Sequence, residues 1–258
     1  MTGPLGILHL IGKAPVWIMI MAFRITMAQP EYKKAEMGEI TLHYQTFGVG
    51  APLILIHGSL SDLRYWEHQI PELSKNFQVI IYSRRYNFPN INAPTGNHSA
   101  LVEARDLLQF MDLLEIKKAH ILGHSYGAYT ALVFAVDHPH RVKNLILAEP
   151  PLMKWLPEIP GGNGVLEDFV EEVWKPLAEA YKKDEATGLD FTSHWYYGTG
   201  FENIDSEFQG FLKDNSQEWK ELAFSEDAYP YVDTDKVRRL DFLYSCFPEK
   251  KIKIVFSN

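Results

Sequence analysis

The sequence predicts an α/β fold in which helices cover both faces of a mostly parallel sheet. Short continuous apolar runs recur along the first 150 residues, as expected for strands that are buried on both faces of a parallel sheet. Segments with apolar residues at helical spacing separate these runs, and this alternation is typical of a sheet between two helix layers. A length of 258 residues favours one such domain that carries an insertion.

The predicted elements follow one another in a regular order. Residues 39–45 alternate in polarity and predict a first strand. Continuous apolar runs predict four further strands, at 52–57 (PLILIH), 77–83 (FQVIIYS), 119–123 (AHILG) and 142–148 (VKNLILA). Helices are predicted between these strands at 61–74, 99–114 and 126–137. Asp62 is placed to cap the first of these helices.

This rhythm stops at Glu149. Residues 149–151 (EPP) predict a turn, and a loop rich in proline and glycine follows at 157–164. Residues 165–232 then have helical character and are rich in Trp, Phe and Tyr. We therefore predict an α/β core at 31–150, a helical cap at 151–235 and an incomplete return to the core at 236–258. Strand patterns in the last part occur at 240–246 and 251–256.

The first 30 residues form a segment of a different kind. Lys13 precedes an apolar run at 14–23, and small residues before Gln29 resemble a signal peptide cleaved after Ala28. Arg24 interrupts this pattern, so the alternative is an over-extended start, with translation beginning at Met21, Met27 or Met37. The run is shorter than the roughly 20 residues of a membrane-spanning helix, so we expect no stable membrane span. We favour a cytoplasmic location over export.

Composition excludes two classes of protein. Lys and Arg number 25 against 33 Asp and Glu, a formal net charge of −8, whereas sequence-independent binding of nucleic acid needs a basic surface. Cys246 is the single cysteine, so no internal disulfide can form, and no Cys/His cluster has zinc spacing. We therefore expect neither a nucleic-acid partner nor a metal. The neighbouring Arg84 and Arg85 are expected to form salt bridges near a strand end rather than to bind an acidic substrate.

Ser125 lies in the pentapeptide Gly123-His124-Ser125-Tyr126-Gly127, which has the pattern G-x-S-x-G. The pattern alone is weak, but here it follows a predicted buried strand and precedes a predicted helix. A sharp turn would strain the backbone of Ser125 and expose its hydroxyl, and side chains at 123 and 127 would clash with the neighbouring helix and strand. The first amides of the helix and the positive end of its dipole would face the reaction site. The motif predicts Ser125 as a nucleophile, with Gly123, His124 and Gly127 supporting the turn.

A second motif, His57-Gly58-Ser59-Leu60, follows the predicted strand at 52–57. The backbone amides of Ser59 and Tyr126 are placed to point at the oxygen of a tetrahedral intermediate. The loss of one such donor typically raises the barrier by ~3 kcal/mol. His57 is a candidate base, but we expect it to hydrogen-bond its own loop, together with Gly58.

Together these motifs resemble the α/β-hydrolase superfamily, in its branch of serine esterases and lipases, which also includes C–C hydrolases. The resemblance is strong over residues 38–150 and weaker over 151–240, as a cap. It implies hydrolysis of a small ester or related acyl compound through an acyl-serine, with no cofactor. A serine at position 125 argues against the related haloalkane dehalogenases and epoxide hydrolases, which use an aspartate nucleophile.

The resemblance also implies an acid and then a histidine after the serine. Glu149, at the end of the predicted strand 142–148, is the candidate acid. Its alternative role is to bind loop amides or to line the pocket. His194 lies inside the predicted cap, and the 64 residues that follow it contain no histidine.

Three explanations of the missing base stay open. The one we favour is that the chain is a C-terminally truncated or frame-shifted form of a complete hydrolase. In the second, His194 reaches Ser125 from the cap. In the third, the protein is a natural non-catalytic relative that binds a small molecule, and this is the alternative to hydrolysis.

Overall fold

The computed structural model describes residues 31–240 of the chain. The signal-like segment and the strand patterns predicted towards the end of the chain lie outside these residues, apart from Leu240. The predicted return to the core at 236–258 is described only to residue 240, and within that part the chain is helical up to Arg238.

A six-stranded mixed sheet forms the centre of the described residues. Its strands are β1 (Lys33–Met37), β2 (Ile40–Phe47), β3 (Ala51–Ile56), β4 (Phe77–Tyr82), β5 (Ala119–His124) and β6 (Val142–Ala148). The spatial order is β1-β2-β4-β3-β5-β6. The β1–β2 and β2–β4 pairs are antiparallel, and the remaining pairs are parallel. The predicted fold class is confirmed, and β1 is a strand that the pattern did not predict.

Nine α-helices accompany the sheet within the described residues. Three precede the end of β6, namely α1 (Ile70–Leu73), α2 (Ala100–Leu113) and α3 (Tyr126–Asp137). Six follow it: α4 (Gly162–Phe169), α5 (Lys175–Lys183), α6 (Glu185–Tyr197), α7 (Ser206–Asp214), α8 (Ser216–Ala223) and α9 (Thr234–Arg238). We call α4–α9 the cap helices, and their status as a separate domain stays a prediction. None of the helices in this part of the chain has the length and apolar character needed to cross a bilayer.

The helix predicted at 61–74 is wrong in its extent. Asp62 caps only a 3-10 turn at Leu63–Trp66, where its carboxylate accepts a hydrogen bond from the Arg64 amide at 2.9 Å. The chain then restarts as the one-turn helix α1, with Pro71 in its first turn. Proline has no amide hydrogen and clashes with the preceding turn of a helix. A single continuous helix is therefore not compatible with this segment.

Alternation along the strands creates one core on each face of the sheet. In β3, Leu53 and Leu55 belong to one apolar cluster and Ile54 and Ile56 to the other, because successive side chains point to opposite faces. The smaller cluster also contains Leu63 and Trp66 of the 3-10 turn. The larger one contains residues of α2, α3 and the cap helices. Both faces are thus covered, as a central parallel sheet requires.

The sheet brings four loops to one edge. Since β3, β4, β5 and β6 run parallel, the residues that follow them meet at their carboxyl ends, where open α/β sheets bind ligands. Leu60, Ser125 and Glu149 lie in three of these loops, and each has a positive φ, at 53°, 50° and 55°. Backbone strain of this kind clusters at functional sites. This edge is therefore the candidate site.

The larger core depends on Phe110 of α2. Its ring is fully buried and lies 5.4 Å and 5.0 Å, between ring centroids, from Tyr44 and Tyr82. Phe110→Ala should lower the free energy of unfolding by about 3–5 kcal/mol, measured by urea denaturation, because the cavity it leaves cannot collapse fully. Leu113→Ala on the same helix is the control, since Leu113 is 50% exposed, and should cost less than about 1 kcal/mol. Equal losses in the two variants would contradict this packing.

Candidate active site

Ser125 occupies the sharp turn between β5 and α3. Its backbone has φ 50° and ψ −123°, the strained conformation that the motif predicts. Its amide donates to the Ala148 carbonyl at 2.8 Å, and its own carbonyl accepts from the amides of Ala128 and Tyr129 at 2.9 and 3.1 Å. The turn is thus tied to the end of β6 on one side and starts α3 on the other. The side chain of Ser125 is half-buried.

Two glycines make this turn possible. A Cβ at Gly123 would lie 2.5 Å from the Cα of Ala128 in α3, and a Cβ at Gly127 would lie 2.5 Å from the Ile56 carbonyl oxygen in β3. Both obstacles are backbone atoms of packed elements, so neither can move aside cheaply. The absence of side chains at 123 and 127 therefore lets α3 pack directly against the strands.

The loop that follows β3 passes beside the side chain of Ser125. A Cβ on Gly58 would lie 3.0 Å from the Cβ of Ser125 and 3.1 Å from Nδ1 of His124. Neither the Ser59 amide nor the Tyr126 amide has a hydrogen-bond partner among residues 31–240. The first amides of a helix lack partners within the helix itself. Both amides are therefore free to bind an anionic oxygen, and that role stays a prediction.

His57 is fully buried and both of its ring nitrogens are engaged. Nε2 accepts a hydrogen bond from the Arg84 amide at 3.0 Å, and Nδ1 lies 2.9 Å from the Gly58 carbonyl oxygen. Burial, aided by the charge of Arg84, lowers the pKa of His57 to about 3. The ring is therefore neutral, with its proton on Nδ1 donated to Gly58. This geometry supports the predicted role in the loop rather than a role as base.

Arg84 lies two residues after the end of β4, and it is buried next to the loop that contains Gly58. Its guanidinium binds Glu103 of α2 at 2.5 Å and Glu218 of α8 at 2.8 Å, and it donates to the Gly58 carbonyl at 3.0 Å. Burial alone would raise the pKa of Glu103, but the charge of Arg84 and the nearby ring of His98 lower it well below its usual range. The predicted salt bridges are confirmed for Arg84, and for Arg85, which binds Asp106 through two hydrogen bonds at 2.8 and 2.6 Å.

Glu218 is a site residue that the sequence did not reveal. Its carboxylate is fully buried and accepts hydrogen bonds from the Ser59 hydroxyl at 3.1 Å and from the Leu60 amide at 3.2 Å. It stands 134 positions after Arg84 in the chain and belongs to no local motif. Only the packing of α8 onto the loop after β3 identifies it.

The same cluster contains residue types that bind metals. Ligand atoms of His98, Glu103 and Glu218 lie within 4.8 Å of one another. The Arg84 guanidinium already binds both carboxylates, so it supplies the positive charge that a cation would bring. These residues therefore form an ion-pair network rather than a site suited to a metal.

Glu149 lies directly after β6, where the resemblance described above implies an acid that follows the nucleophile in the chain. Its side chain is exposed, and one carboxylate oxygen lies 3.7 Å from Nε2 of His124. The His124 ring stacks on Tyr65 with 4.9 Å between ring centroids. Burial lowers the pKa of His124, and the charge of Glu149 opposes this shift. An imidazole and a carboxylate therefore adjoin the turn, while the role of Glu149 as the acid stays a prediction.

His194 is turned towards its own helix. Its Nδ1 lies 3.0 Å from the Asp190 carbonyl oxygen in α6 and 3.5 Å from the Asp190 carboxylate, and its side chain is more than half exposed. No hydrogen bond joins it to Ser125 in the described structure. This arrangement gives no support to His194 as the base.

Cap residues pack over the turn through aromatic side chains. The Tyr126 hydroxyl donates to the Ala228 carbonyl at 2.7 Å. The ring of Tyr126 lies 5.2 Å from Tyr229, and Tyr229 lies 5.6 Å from Trp174, which is in the segment between α4 and α5. A buried aromatic cluster thus begins at the residue next to Ser125. A separate cavity of about 480 Å³, lined by Arg85, Arg105 and others, does not include these residues.

Comparisons with known proteins concern the fold of this chain. Residues 51–200, more than half of the chain, match the model of a family described as the alpha/beta hydrolase fold. A protein of Azorhizobium caulinodans assigned as carbamate hydrolase RutD is 29% identical over 113 residues, which cover 44% of this chain and 42% of that protein. The 2-hydroxy-6-oxo-6-phenylhexa-2,4-dienoate hydrolase of Comamonas testosteroni is 30% identical over 120 residues, covering 45% and 42%. The matched part thus spans about two fifths of the length of these relatives.

A solved structure shows the same fold over a longer range. It is a variant of a Pseudomonas aeruginosa protein that has been assigned as an epoxide hydrolase, and it superposes with a TM-score of 0.60. The match covers 81% of this chain and 72% of that chain, at 19% sequence identity. At that identity the likeness concerns the fold alone.

The buried His57 predicts a pH dependence of stability. Its ordinary pKa is 6.5 and its folded pKa is about 3, so on acidification the unfolded state takes up the proton first. The stability is complete above about pH 6.5 and is lost as the pH falls towards 3, by about 2 kcal/mol from this residue between pH 7.5 and 5. Urea denaturation at both pH values should show this extra loss in the wild type and not in His57→Asn.

The control for this measurement is His140→Asn, because His140 is exposed. It should keep the wild-type loss of stability between the two pH values. A His57→Asn variant that keeps the same loss as the control would show that His57 titrates normally in the folded protein.

Proposed function

The chain belongs to the α/β-hydrolase fold family, and we propose that it hydrolyses a small ester or related acyl compound with Ser125 as nucleophile. One observation carries the proposal. Ser125 is held at φ 50° between β5 and α3, with glycines on both sides where a side chain would meet backbone. A strained serine in this position is expected where an exposed hydroxyl must attack a substrate.

The proposed reaction has two steps. The Oγ of Ser125 attacks the acyl carbon, and the carbonyl oxygen becomes negatively charged beside the amides of Ser59 and Tyr126. Collapse of this intermediate breaks the bond to the leaving oxygen, which takes up the proton lost by Ser125 and departs as the alcohol. The acyl-serine that remains is then hydrolysed by water. The amides at the start of α3 favour negative charge at this place because the positive end of the helix dipole points there. Since the backbone supplies both donors, the side chains of Ser59 and Tyr126 matter less than that of Ser125.

Proton transfer from Ser125 needs a base within hydrogen-bond reach. His57 is neutral with both nitrogens engaged, and His194 faces its own helix. Glu149 remains the candidate acid, and we assign no base within residues 31–240.

The lack of an assigned base within residues 31–240 favours a second candidate function. An α/β-hydrolase fold in which no imidazole hydrogen-bonds Ser125, within the part of the chain described, fits a protein that binds a small molecule without converting it. Such a protein would bind its ligand beside Ser125, at the carboxyl ends of the parallel strands. It would bind ligand and show no reaction that depends on Ser125.

The relatives support the first candidate at the level of reaction type. The names of the Azorhizobium and Comamonas proteins both state hydrolysis, of a carbamate and of a dienoate. The choice of a serine mechanism and of an ester-like substrate rests on this chain's own residues. A serine at 125 also argues against an epoxide substrate, because that branch resembles this fold but uses an aspartate nucleophile.

The proposal predicts that Ser125 reacts with a fluorophosphonate probe. Intact-mass and peptide mass spectrometry should locate one adduct on Ser125, and Ser125→Ala should abolish it. Any part of the hydrolysis of p-nitrophenyl acetate that depends on Ser125 should be lost in that variant, and the oxyanion donors should leave at most a residual rate about 10³–10⁴-fold above that in water.

Ser206→Ala is the matched control, because Ser206 is exposed at the start of α7. It should keep both the adduct and the hydrolysis. An adduct on another residue, or hydrolysis that survives Ser125→Ala unchanged, would overturn the assignment of the nucleophile. Absence of any adduct together with saturable ligand binding would favour the non-catalytic candidate.

A further inference from the structure

The peptide unit between Gly58 and Ser59 is held from one side. Its carbonyl oxygen accepts hydrogen bonds from Nη2 of Arg84 at 3.0 Å and from Nδ1 of His57 at 2.9 Å. A carbonyl oxygen has two lone pairs, and both are thus occupied by donors that are themselves buried. The orientation of this peptide plane is therefore fixed.

The direction of the Ser59 amide follows from that of the carbonyl. In a trans peptide the N–H and C=O groups lie in one plane and point in opposite directions, and the peptide between Gly58 and Ser59 is trans. Since the Gly58 carbonyl points at Arg84 and His57, the Ser59 N–H points away from them. The Ser59 N–H itself donates to no acceptor among the residues described.

We propose that Arg84 is a positioning residue of the hydrolysis proposed above, and that it acts by fixing the direction of the Ser59 amide. The inference rests on that proposed function, because an oriented amide matters only if it binds the oxyanion. Arg84 itself does not touch the substrate.

The guanidinium is fixed in turn by two carboxylates from different parts of the fold. Glu103 belongs to α2, and Glu218 belongs to the cap helix α8. Glu103 is anchored further by the Thr130 hydroxyl of α3, at 2.9 Å. A buried cation with two buried partners has little freedom to turn. Its hydrogen bond to Gly58 also polarises the peptide, which makes the Ser59 N–H a stronger donor.

The same guanidinium also adjoins the second proposed donor residue. Its central carbon lies 5.1 Å from the centre of the Tyr126 ring, and the hydroxyl of Tyr126 is bound to Ala228. One buried group thus contacts the peptide that precedes Ser59 and the ring of Tyr126. Glu218 adds contacts to the Ser59 hydroxyl and the Leu60 amide from the cap side.

A lysine at position 84 could not bind Glu103, Glu218 and the Gly58 carbonyl at the same time. The planar guanidinium bonds Glu103 through Nη1 and both Glu218 and Gly58 through Nη2, whereas an ammonium is a single point charge on a flexible stem. Arg84→Lys therefore keeps the charge balance of the buried cluster but loosens the Gly58 carbonyl. Arg85→Lys is the matched control, since Arg85 forms a buried ion pair with Asp106 and no hydrogen bond to residues 57–60.

The test compares both variants with the wild-type chain in the hydrolysis of p-nitrophenyl acetate and in thermal melting. Arg84→Lys should lower kcat at least about 10-fold and leave KM within about threefold, because the misdirected donor acts on the transition state. The inhibition constant of a trifluoromethyl ketone, whose serine adduct carries an oxyanion, should rise in the same proportion as kcat/KM falls. Arg85→Lys should lose a similar amount of thermal stability and keep kcat within about twofold.

Equal kcat values for the two variants would overturn the inference. A second variant, Glu218→Gln, keeps the size of the side chain but removes one anchor of the guanidinium. It should lower kcat at least about threefold, because a neutral partner holds the cation less firmly. If Arg84→Lys fails to fold, an unchanged kcat in Glu218→Gln overturns the inference instead.

Failure of the proposed function has a different signature. A wild-type chain with no reaction that depends on Ser125 would remove both the proposed function and the positioning role. A wild-type chain that reacts through Ser125, with Arg84→Lys and Glu218→Gln both unaffected, would remove the positioning role alone.

Discussion

The close contact between the turn at Ser125 and the backbone of β3 is the constraint on which the site depends. With no side chain at Gly123 or Gly127, α3 starts directly against the ends of β3 and β5. That contact forces Ser125 into a positive φ. It also brings the loop so close that a Cβ on Gly58 would lie 3.0 Å from the Cβ of Ser125. A larger residue at any of these glycines would separate the serine from the loop amides. The strained serine and the adjacent donors thus have one common cause.

A buried charge network supports this contact from below. Arg84, Glu103 and Glu218 are almost completely removed from water, and burying such ions is costly unless each has close partners. The network joins the loop after β4, helix α2 and the cap helix α8 to the loop after β3, so the loop geometry depends on segments far apart in the chain. Buried ion pairs add little net stability compared with apolar packing. Their placement around the Gly58 carbonyl is better explained by the orientation that they give to the loop.

The sequence predicted the parts of the molecule that local patterns determine. Buried strands give continuous apolar runs, so β3 to β6 were predictable, and the glycine pattern around Ser125 fits one local backbone geometry. The strand β1 was missed because only Ala35 of its five residues is buried. The helix predicted at 61–74 is too long because Pro71 can only stand in the first turn of a helix, so the segment divides into a 3-10 turn and a one-turn helix. Glu103 and Glu218 were missed because their roles arise from contacts between distant segments, which no local motif records.

The central claim is that Ser125 attacks a carbonyl whose oxygen is bound by two backbone amides. A crystal structure of the chain after reaction with a fluorophosphonate tests it most directly. The account predicts a bond between phosphorus and the Oγ of Ser125, with the phosphoryl oxygen within about 3 Å of the amide nitrogens of Ser59 and Tyr126. A phosphoryl group on another side chain, or one whose oxygen is turned away from both amides, would contradict it.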